Sequence, residues 1–366
     1  MTKKIFIAGG GTGGHIYPAL AIARGLLENN PELKIHFVGS PQGLETRIIP
    51  EQGFPIHLIP IGRLNRNVHL FERIKTLLGL PFSLFVSLYF LLRYRPSLLL
   101  GVGGFASAPV LFVGALFRFK IVIWESNAYP GLANRWLSKF VSYGLVVFDE
   151  AKEILKMKRM RRIGIPVRKE IELLDKKGSS LGKSFKILVF GGSQGARGIN
   201  FAVCEAICRG GDWLDDVEII HQTGRLDFPQ MLKKYNKAQF KVDVREYLSA
   251  IHEQYDWADL VLCRAGASTI AELAAAQKPA VLVPFPFAAD NHQQRNAEVL
   301  VKKEAAKMVL QNDFTADKFI QMVNKFKKNR MELDILSKNI RSFHRPNAAN
   351  EIAQLLLAEI NGDHSL

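Results

Sequence analysis

The sequence predicts an α/β protein of two Rossmann-like, doubly wound lobes, each a parallel sheet flanked by helices. Three observations predict it. The chain has 366 residues, enough for about two domains of roughly 150 each. Short apolar runs alternate with helical stretches, the pattern of βαβ units joined by right-handed crossovers. The alternation breaks at a polar segment, LLDKKGSSLGKS (173–184), and then starts again.

In chain order, KIFIAGG (4–10) opens the first lobe as a buried strand and PALAIARGLLEN (18–29) follows as a helix. KIHFVGS (34–40), PSLLLGVGG (96–104), KIVIWES (120–126) and YGLVVF (143–148) are further strands, rich in β-branched and aromatic residues and closed by Gly, Ser or a polar residue. The basic stretch KMKRMRRIG (156–164) and the polar segment lead to the second lobe. Its strands are FKILVFGG (185–192), DVEIIHQTG (216–224), QFKVDVREY (239–247), ADLVLCRAG (258–266) and PAVLVPFP (279–286). Ligands of such sheets bind at the carboxyl ends of the strands. Between Thr76 and Leu92 lie 17 residues without a charge, bracketed by Arg73/Lys75 and Arg93/Arg95 and interrupted early by Gly79-Leu80-Pro81. Three readings fit: a membrane span at the lower limit of length, a buried helix, or a helix whose apolar face touches a bilayer.

Composition narrows the class. Apolar residues are 48% and charged residues 23%, which excludes disordered and fibrous chains. Of the +15 formal charge, residues 1–170 hold +13 (23 Lys+Arg against 10 Asp+Glu) and the remainder +2. That bias points to an anionic partner of the first lobe: nucleic acid, anionic lipid or a phosphorylated substrate. No basic surface interleaved with aromatics supports nucleic acid. Three cysteines cannot make a disulfide framework, so a reducing cytoplasm is expected, with Cys204 and Cys208 read as core. The start, Met1-Thr-Lys-Lys, runs directly into a strand and leaves no room for a signal peptide.

Glycine-rich strand ends carry the candidate chemistry. GGGTGGH (9–15) matches G-x-G-x-x-G between a strand and a helix, a place for an anion on backbone amides. A dinucleotide would also want a carboxylate at the end of the second strand, and none occurs before Glu45, so phosphate is the better ligand than NAD or FAD. His15, in the first helical turn, is expected to be neutral and is either a helix-start histidine or a general base. GVGGFASAP (101–109) is a second glycine loop, for anion binding or for close helix packing. WESNAYPG (124–131) sets Glu125 and Asn127 at the same sheet edge, as loop-forming or site-lining residues. In the second lobe FGGSQGA (190–196) presents Ser193 to a phosphate. Thr269 and Glu272 fit a capping box, T-x-x-E, or else Glu272 accepts both hydroxyls of a ribose. DNHQQRNA (290–297) offers amides that suit sugar hydroxyls. No metal-ligand spacing occurs, and neither a metal nor a resident cofactor is expected.

Together GGGTGGH, GVGGFASAP, ExNxxPG in WESNAYPG, GIPVR (164–168), GGSQGARGIN, CRAGASTIAEL and DNHQQRNA resemble the MurG family, the peripheral membrane N-acetylglucosaminyltransferases of peptidoglycan synthesis. They run in the family's order over positions 9 to 297, with small departures at Ile165, where Asn is frequent, and Ser126, where Gln is common. The resemblance implies the GT-B arrangement, two lobes facing a cleft with a C-terminal helix (349–360) crossing back to the first. It divides the chain into an acceptor- and membrane-binding lobe, 1–165 with 342–366, and a UDP-GlcNAc-binding lobe, 166–341.

The same resemblance implies an inverting transfer of GlcNAc from UDP-GlcNAc to the 4-hydroxyl of MurNAc in undecaprenyl-diphosphate-MurNAc-pentapeptide, lipid I to lipid II. His15 would be the base, assisted by Glu125. The donor would meet Thr12, Gly13, Gly14, Asn127, Arg168, Ser193, Leu248, Ala267, Ser268, Thr269, Ile270, Ala271, Glu272, Gln293 and Gln294. The acceptor diphosphate would lie on Gly11, Gly13, Gly14, Gly103, Gly104 and Ser107. An anionic membrane surface on the cytoplasmic face is the implied location, and other cell-wall synthesis proteins are conceivable partners. The rival readings are a UDP-sugar epimerase on the same fold, a flavin or NAD oxidoreductase, and a membrane-associated nucleotide-sugar-binding protein without catalysis.

Overall fold

The computed structural model describes residues 2–11, 13–62, 69–141, 143–174, 183–192 and 194–363. The chain divides into two compact units, Met1–Pro166 with Asn347–Leu366, and Val167–Pro346.

The first unit is a seven-stranded sheet of β1 (Lys4–Gly9), β2 (Lys34–Gly39), β3 (Ile56–Leu58), β4 (Leu98–Gly103), β5 (Ile121–Glu125), β6 (Tyr143–Val146) and β7 (Arg159–Arg162). All neighbours are parallel, in the order β3-β2-β1-β4-β5-β6-β7. The second unit repeats the winding with β8 (Phe185–Phe190), β9 (Val217–Gln222), β10 (Asp243–Arg245), β11 (Leu260–Cys263), β12 (Ala280–Leu282) and β13 (Lys307–Met308), in the order β10-β9-β8-β11-β12-β13. The strand order reverses between β1 and β4 and again between β8 and β11. Those are the topological switch points, where open α/β sheets bind ligands.

The central strands are the near-continuous apolar runs expected when both faces are covered, and β1, β4 and β5 are buried along almost their whole length. The strands absent from the sequence reading are edges. β3 and β13 are too short to show a period, and β7 reads RMRR, so its charge looked like a linker. Charge along an exposed edge is a common guard against edge-to-edge pairing. Arg159 bonds Glu359 at 2.9 Å and lies over the Tyr143 ring, so the basic edge is held by the C-terminal helix Ala348–Asn361. That helix packs on the helix Gly13–Asn29, where a Cβ at Gly25 would lie 3.0 Å from the Ala349 carbonyl. The short turn Arg341–Phe343 packs instead on the helix Ala267–Ala276 and stays with the second unit.

The 76–92 segment is part of a longer helix, Leu70–Tyr94, which runs through Pro81. Proline removes the bond to the Leu77 carbonyl, and Leu77 is exposed enough for water to replace it. Cys208 also differs from expectation: Cys204 is buried, but Cys208 faces solvent.

A buried polar network stiffens the second unit. The His221 ring bonds Asn200 Oδ1 at 3.1 Å through Nε2 and the Tyr235 hydroxyl at 2.7 Å through Nδ1. Asn200 Nδ2 also donates to Asp227 and to the Thr223 carbonyl. The amide oxygen only accepts, so His221 is neutral with its proton on Nε2, and burial lowers its pKa from 6.5 to about 3. The unfolded chain therefore binds this proton first as pH falls. The network's stabilisation is full above pH 6.5 and is lost toward pH 3, at about 1.4 kcal/mol per pH unit well below 6.5. We expect calorimetry to show the thermal midpoint of the second unit falling from pH 6.5 to 5, with a shallower slope in His221→Gln. An equal slope in the variant would remove His221 as its source.

Candidate active site

At the first switch point the loops after β1 and β4 lie against each other. The Gly10 amide donates to the Gly103 carbonyl at 3.3 Å, and a Cβ on Gly104 would come within 2.7 Å of the Gly10 oxygen. Close backbone packing thus accounts for Gly104 by itself, beside the loop's reading as an anion site. β1 continues into the helix Gly13–Asn29, whose first turn holds no acidic residue. His15 is half-buried there, and its ring fills the space beside Gly103, where a Cβ would lie 2.9 Å from Cε1.

Two of the expected diphosphate contacts have partners within the chain. The Gly11 amide donates to Glu45 Oε2 at 2.7 Å, and the other oxygen of Glu45 accepts from the Ser40 amide and hydroxyl at 3.0 and 3.2 Å. Glu45 is 1% exposed, so a carboxylate of the chain itself already occupies the amide that a phosphate would use. This is the acidic residue near the end of β2, turned inward where no ribose reaches it. Ser107 is buried and its hydroxyl donates to the Gly104 carbonyl at 2.8 Å, tying the loop together instead of facing a ligand. Gly13 and Gly14 remain at the helix start, while Thr12 lies outside the described residues.

Glu125 is likewise engaged within the chain. It ends β5, is buried, and accepts four bonds from the following loop. Asn127 N and Nδ2 reach Oε1 at 2.9 and 3.1 Å, while Gly131 N and Asn134 Nδ2 reach Oε2 at 3.0 and 2.9 Å. A carboxylate with both oxygens doubly engaged organises its loop. The same bonds fix Asn127 at the sheet edge.

At the second switch point the loop after β8 is held by Gln222, whose amide donates to the Gly192 and Glu246 carbonyls at 3.0 Å each. Gly195, at φ +76°, packs where a Cβ would lie 2.1 Å from the Thr223 oxygen, so only glycine fits. Ser193 of this loop lies outside the described residues. β11 leads through Gly266 into the helix Ala267–Ala276. Gly266 is the N-cap and no side chain caps the end, so the capping box does not form. Thr269 sits inside the first turn and Glu272 in the second. Ala267, Ser268, Thr269, Ile270 and Ala271 line the start of this helix, which has no acidic residue in its first turn.

Without a capping role, Glu272 is held by others. Tyr255 donates to Oε2 at 3.2 Å, and Arg168 Nε lies 3.6 Å from Oε1. Burial raises the Glu272 pKa, against the opposing pull of Arg168 and the Tyr255 hydroxyl. Arg168, expected beside a diphosphate, is thus paired with the ribose candidate. Gln293 Oε1 accepts from the Phe285 amide at 2.9 Å, whereas Gln294 is turned to Glu298 at 3.0 Å along its own helix. Leu248 is buried beyond the end of β10.

Sequence reasoning missed Glu45, Gln222, Tyr255 and Arg264. Arg264 donates to the Val283 and Pro284 carbonyls and to Gln311, and burial lowers its pKa to about 10. It lay within the CRAG run and could have been suspected. Tyr255, in IHEQYDW, carried no signal, because its partner is 17 positions away. Among the described residues no group of three or more His, Cys, Asp or Glu side chains is placed to hold a metal ion.

Two parallel-sheet units wound alike, each with a glycine loop and a helix start at its switch point, define the GT-B class of glycosyltransferase. The N-terminal domain of glycosyltransferase family 28 matches residues 5–143 and its C-terminal domain residues 186–353. The UDP-N-acetylglucosamine–N-acetylmuramyl-(pentapeptide) pyrophosphoryl-undecaprenol N-acetylglucosamine transferase of Bdellovibrio bacteriovorus is 44% identical, over 97% of this chain and 99% of that protein. Its namesake from Myxococcus xanthus is 37% identical, over 96% and 92%. The crystal structure of Acinetobacter baumannii MurG matches with a TM-score of 0.78 at 26% identity, covering 97% of this chain and 99% of that one. The chain belongs to the MurG family.

Proposed function

We propose that the chain is the hexosyltransferase that moves GlcNAc from UDP-GlcNAc to the 4-hydroxyl of MurNAc in undecaprenyl-diphosphate-MurNAc-pentapeptide, making lipid II from lipid I in peptidoglycan synthesis. The observation that carries the donor assignment is Glu272, a largely buried carboxylate held by Tyr255 and Arg168 beside an acid-free helix start. Such a pair of features suits a ribose diol next to a diphosphate. The relatives' names favour transfer over epimerisation.

In this reading the acceptor hydroxyl displaces UDP from the anomeric carbon in one inverting step, α to β(1→4), and His15 takes the hydroxyl proton. The charge that develops on UDP is met by the amides at the start of the helix Ala267–Ala276, by the Ser193 loop and by Arg168 once it leaves Glu272. In the second unit Gln293 holds GlcNAc hydroxyls, and Leu248 offers backbone groups to uracil. The acceptor diphosphate lies on the amides of Gly13 and Gly14, since Glu45 has claimed Gly11.

The same reading places the chain peripherally on the anionic cytoplasmic face of the membrane. The helix Leu70–Tyr94 is long and apolar enough to cross a bilayer, yet one stripe of it is built into the first unit. Ser83, Ser87 and Leu91 face inward, with the Ser83 hydroxyl on the Pro60 carbonyl at 2.6 Å. The large side chains Ile74, Leu78, Phe82, Phe85, Tyr89 and Leu92 face outward at helical spacing, with Leu78 78% and Phe85 67% exposed. Leu116, Phe117, Trp136 and Phe140 of the same unit are exposed as well. So large an apolar patch, rimmed by Arg and Lys on a lobe of +13, suits insertion among anionic headgroups. The double change Leu78→Glu/Phe85→Glu is expected to weaken binding to phosphatidylglycerol vesicles about ten-fold or more, from lost apolar burial. Unchanged sedimentation with vesicles would remove this face from the membrane.

The function is tested by following radiolabelled GlcNAc from UDP-GlcNAc into a short-chain lipid-diphosphate-MurNAc-peptide, with EDTA present. Label in the lipid and release of UDP is the expected result. Label retained in a 2-epimer of the donor would establish the epimerase instead, and UDP binding without turnover would mean that the acceptor is wrong.

A further inference from the structure

We propose that Tyr255 is a positioning residue for donor recognition: its buried hydroxyl fixes the Glu272 carboxylate so that the site selects ribose over deoxyribose. The inference rests on the reading of Glu272 as the ribose ligand.

The geometry is one of a rigid post and a mobile ligand. Tyr255 is fully buried on the helix Ile251–Trp257, with its ring against Phe190, the last residue of β8, at 6.2 Å and 67°. A buried tyrosine hydroxyl needs a polar partner, and here it donates to Glu272 Oε2 at 3.2 Å. Burial pushes the phenol pKa well above its ordinary value, so it stays a donor. Glu272 hangs from a helix by a flexible stem, and a carboxylate left to rotate would have to be ordered whenever donor binds. Tyr255 does that ordering in advance.

The bond also leaves the carboxylate competent. Each oxygen accepts about two hydrogen bonds. Tyr255 uses one position on Oε2, and Arg168 stands 3.6 Å from Oε1. Arg168 is an ion-pair partner beyond hydrogen-bond distance, so each oxygen keeps an accepting position, which suits two adjacent hydroxyls. A sugar without the 2′-hydroxyl would leave one oxygen of a fixed, largely buried carboxylate without its partner. A carboxylate free to rotate could turn away from that gap, so the discrimination depends on Tyr255.

The test compares UDP-GlcNAc with its 2′-deoxyuridine counterpart as donors, at saturating acceptor, for the full chain and for Tyr255→Phe and Glu272→Ala, with thermal midpoints recorded alongside. In Tyr255→Phe we expect KM for UDP-GlcNAc to rise about ten-fold with kcat within about two-fold, the pattern of lost ground-state binding. The preference for ribose is expected to fall at least about five-fold, the loss of part of one hydrogen bond to a charged group, and in Glu272→Ala to vanish. If Tyr255→Phe weakens both donors equally, or neither, while Glu272→Ala abolishes the preference, the positioning role is overturned and the ribose reading stands. If Glu272→Ala keeps the preference, the ribose reading fails and the inference with it.

Discussion

Replacing His15 with alanine is expected to lower kcat by about 10²–10⁴-fold at saturating donor and acceptor, with UDP affinity nearly unchanged. The size follows from what a positioned general base contributes. His15 is in the first turn of the helix leaving β1, which holds no acidic residue. Its ring is set by Gly103, where φ is +98° and any Cβ would strike it. Gly103→Ala is therefore expected to reproduce part of the His15→Ala loss without touching the base itself. Steady-state kinetics on the lipid acceptor decide the matter. Near-normal turnover in His15→Ala would leave the imidazole as a helix-start residue.

Glu125→Ala is expected to destabilise the first unit by at least about 3 kcal/mol, because it strands buried donors that all converge on one carboxylate. Asn127, Gly131 and Asn134 would lose their common acceptor, and the loop that carries Asn127 would loosen. Glu125→Gln is expected to fail nearly as badly, since its amide nitrogen would face two donors. Urea unfolding of the two variants separates a loop organiser from a proton carrier. Native stability together with abolished kcat would restore the catalytic role that the E-x-N motif suggested.

The contrast between these two residues marks how far the site was legible. The place of His15 in the fold is legible because its surroundings are local: strand, glycine turn, helix start. The partners of Glu125 are not, because Gly131 and Asn134 lie six and nine positions on and fold back over it. The loops after β1, β4, β8 and β11 were visible for the same local reason. Glycine is needed wherever backbone meets backbone, as at Gly104 against Gly10 and Gly195 against Thr223. Whether such a glycine serves a ligand or only packing cannot be seen until its neighbour is known, and Glu45 on Gly11 is the case in point.

By itself the sequence determined the two doubly wound units, the central strands and the family. Those follow from short-range pattern: apolar runs covered on both faces, crossover helices between them, and seven motifs in order. Tertiary structure alone decided the edge strands β3, β7 and β13, the inward turn of Glu45, and the Tyr255–Glu272–Arg168 cluster. It also decided which stripe of the helix Leu70–Tyr94 is buried, since both its faces are apolar and hydropathy cannot choose between them. Small serines pack inward and the aromatic and leucine side chains are left outside. The physical reason is common to all four. Edge pairing, the partner of a buried charge and the orientation of a uniformly apolar helix are set by groups far away in the chain, and no local period encodes them.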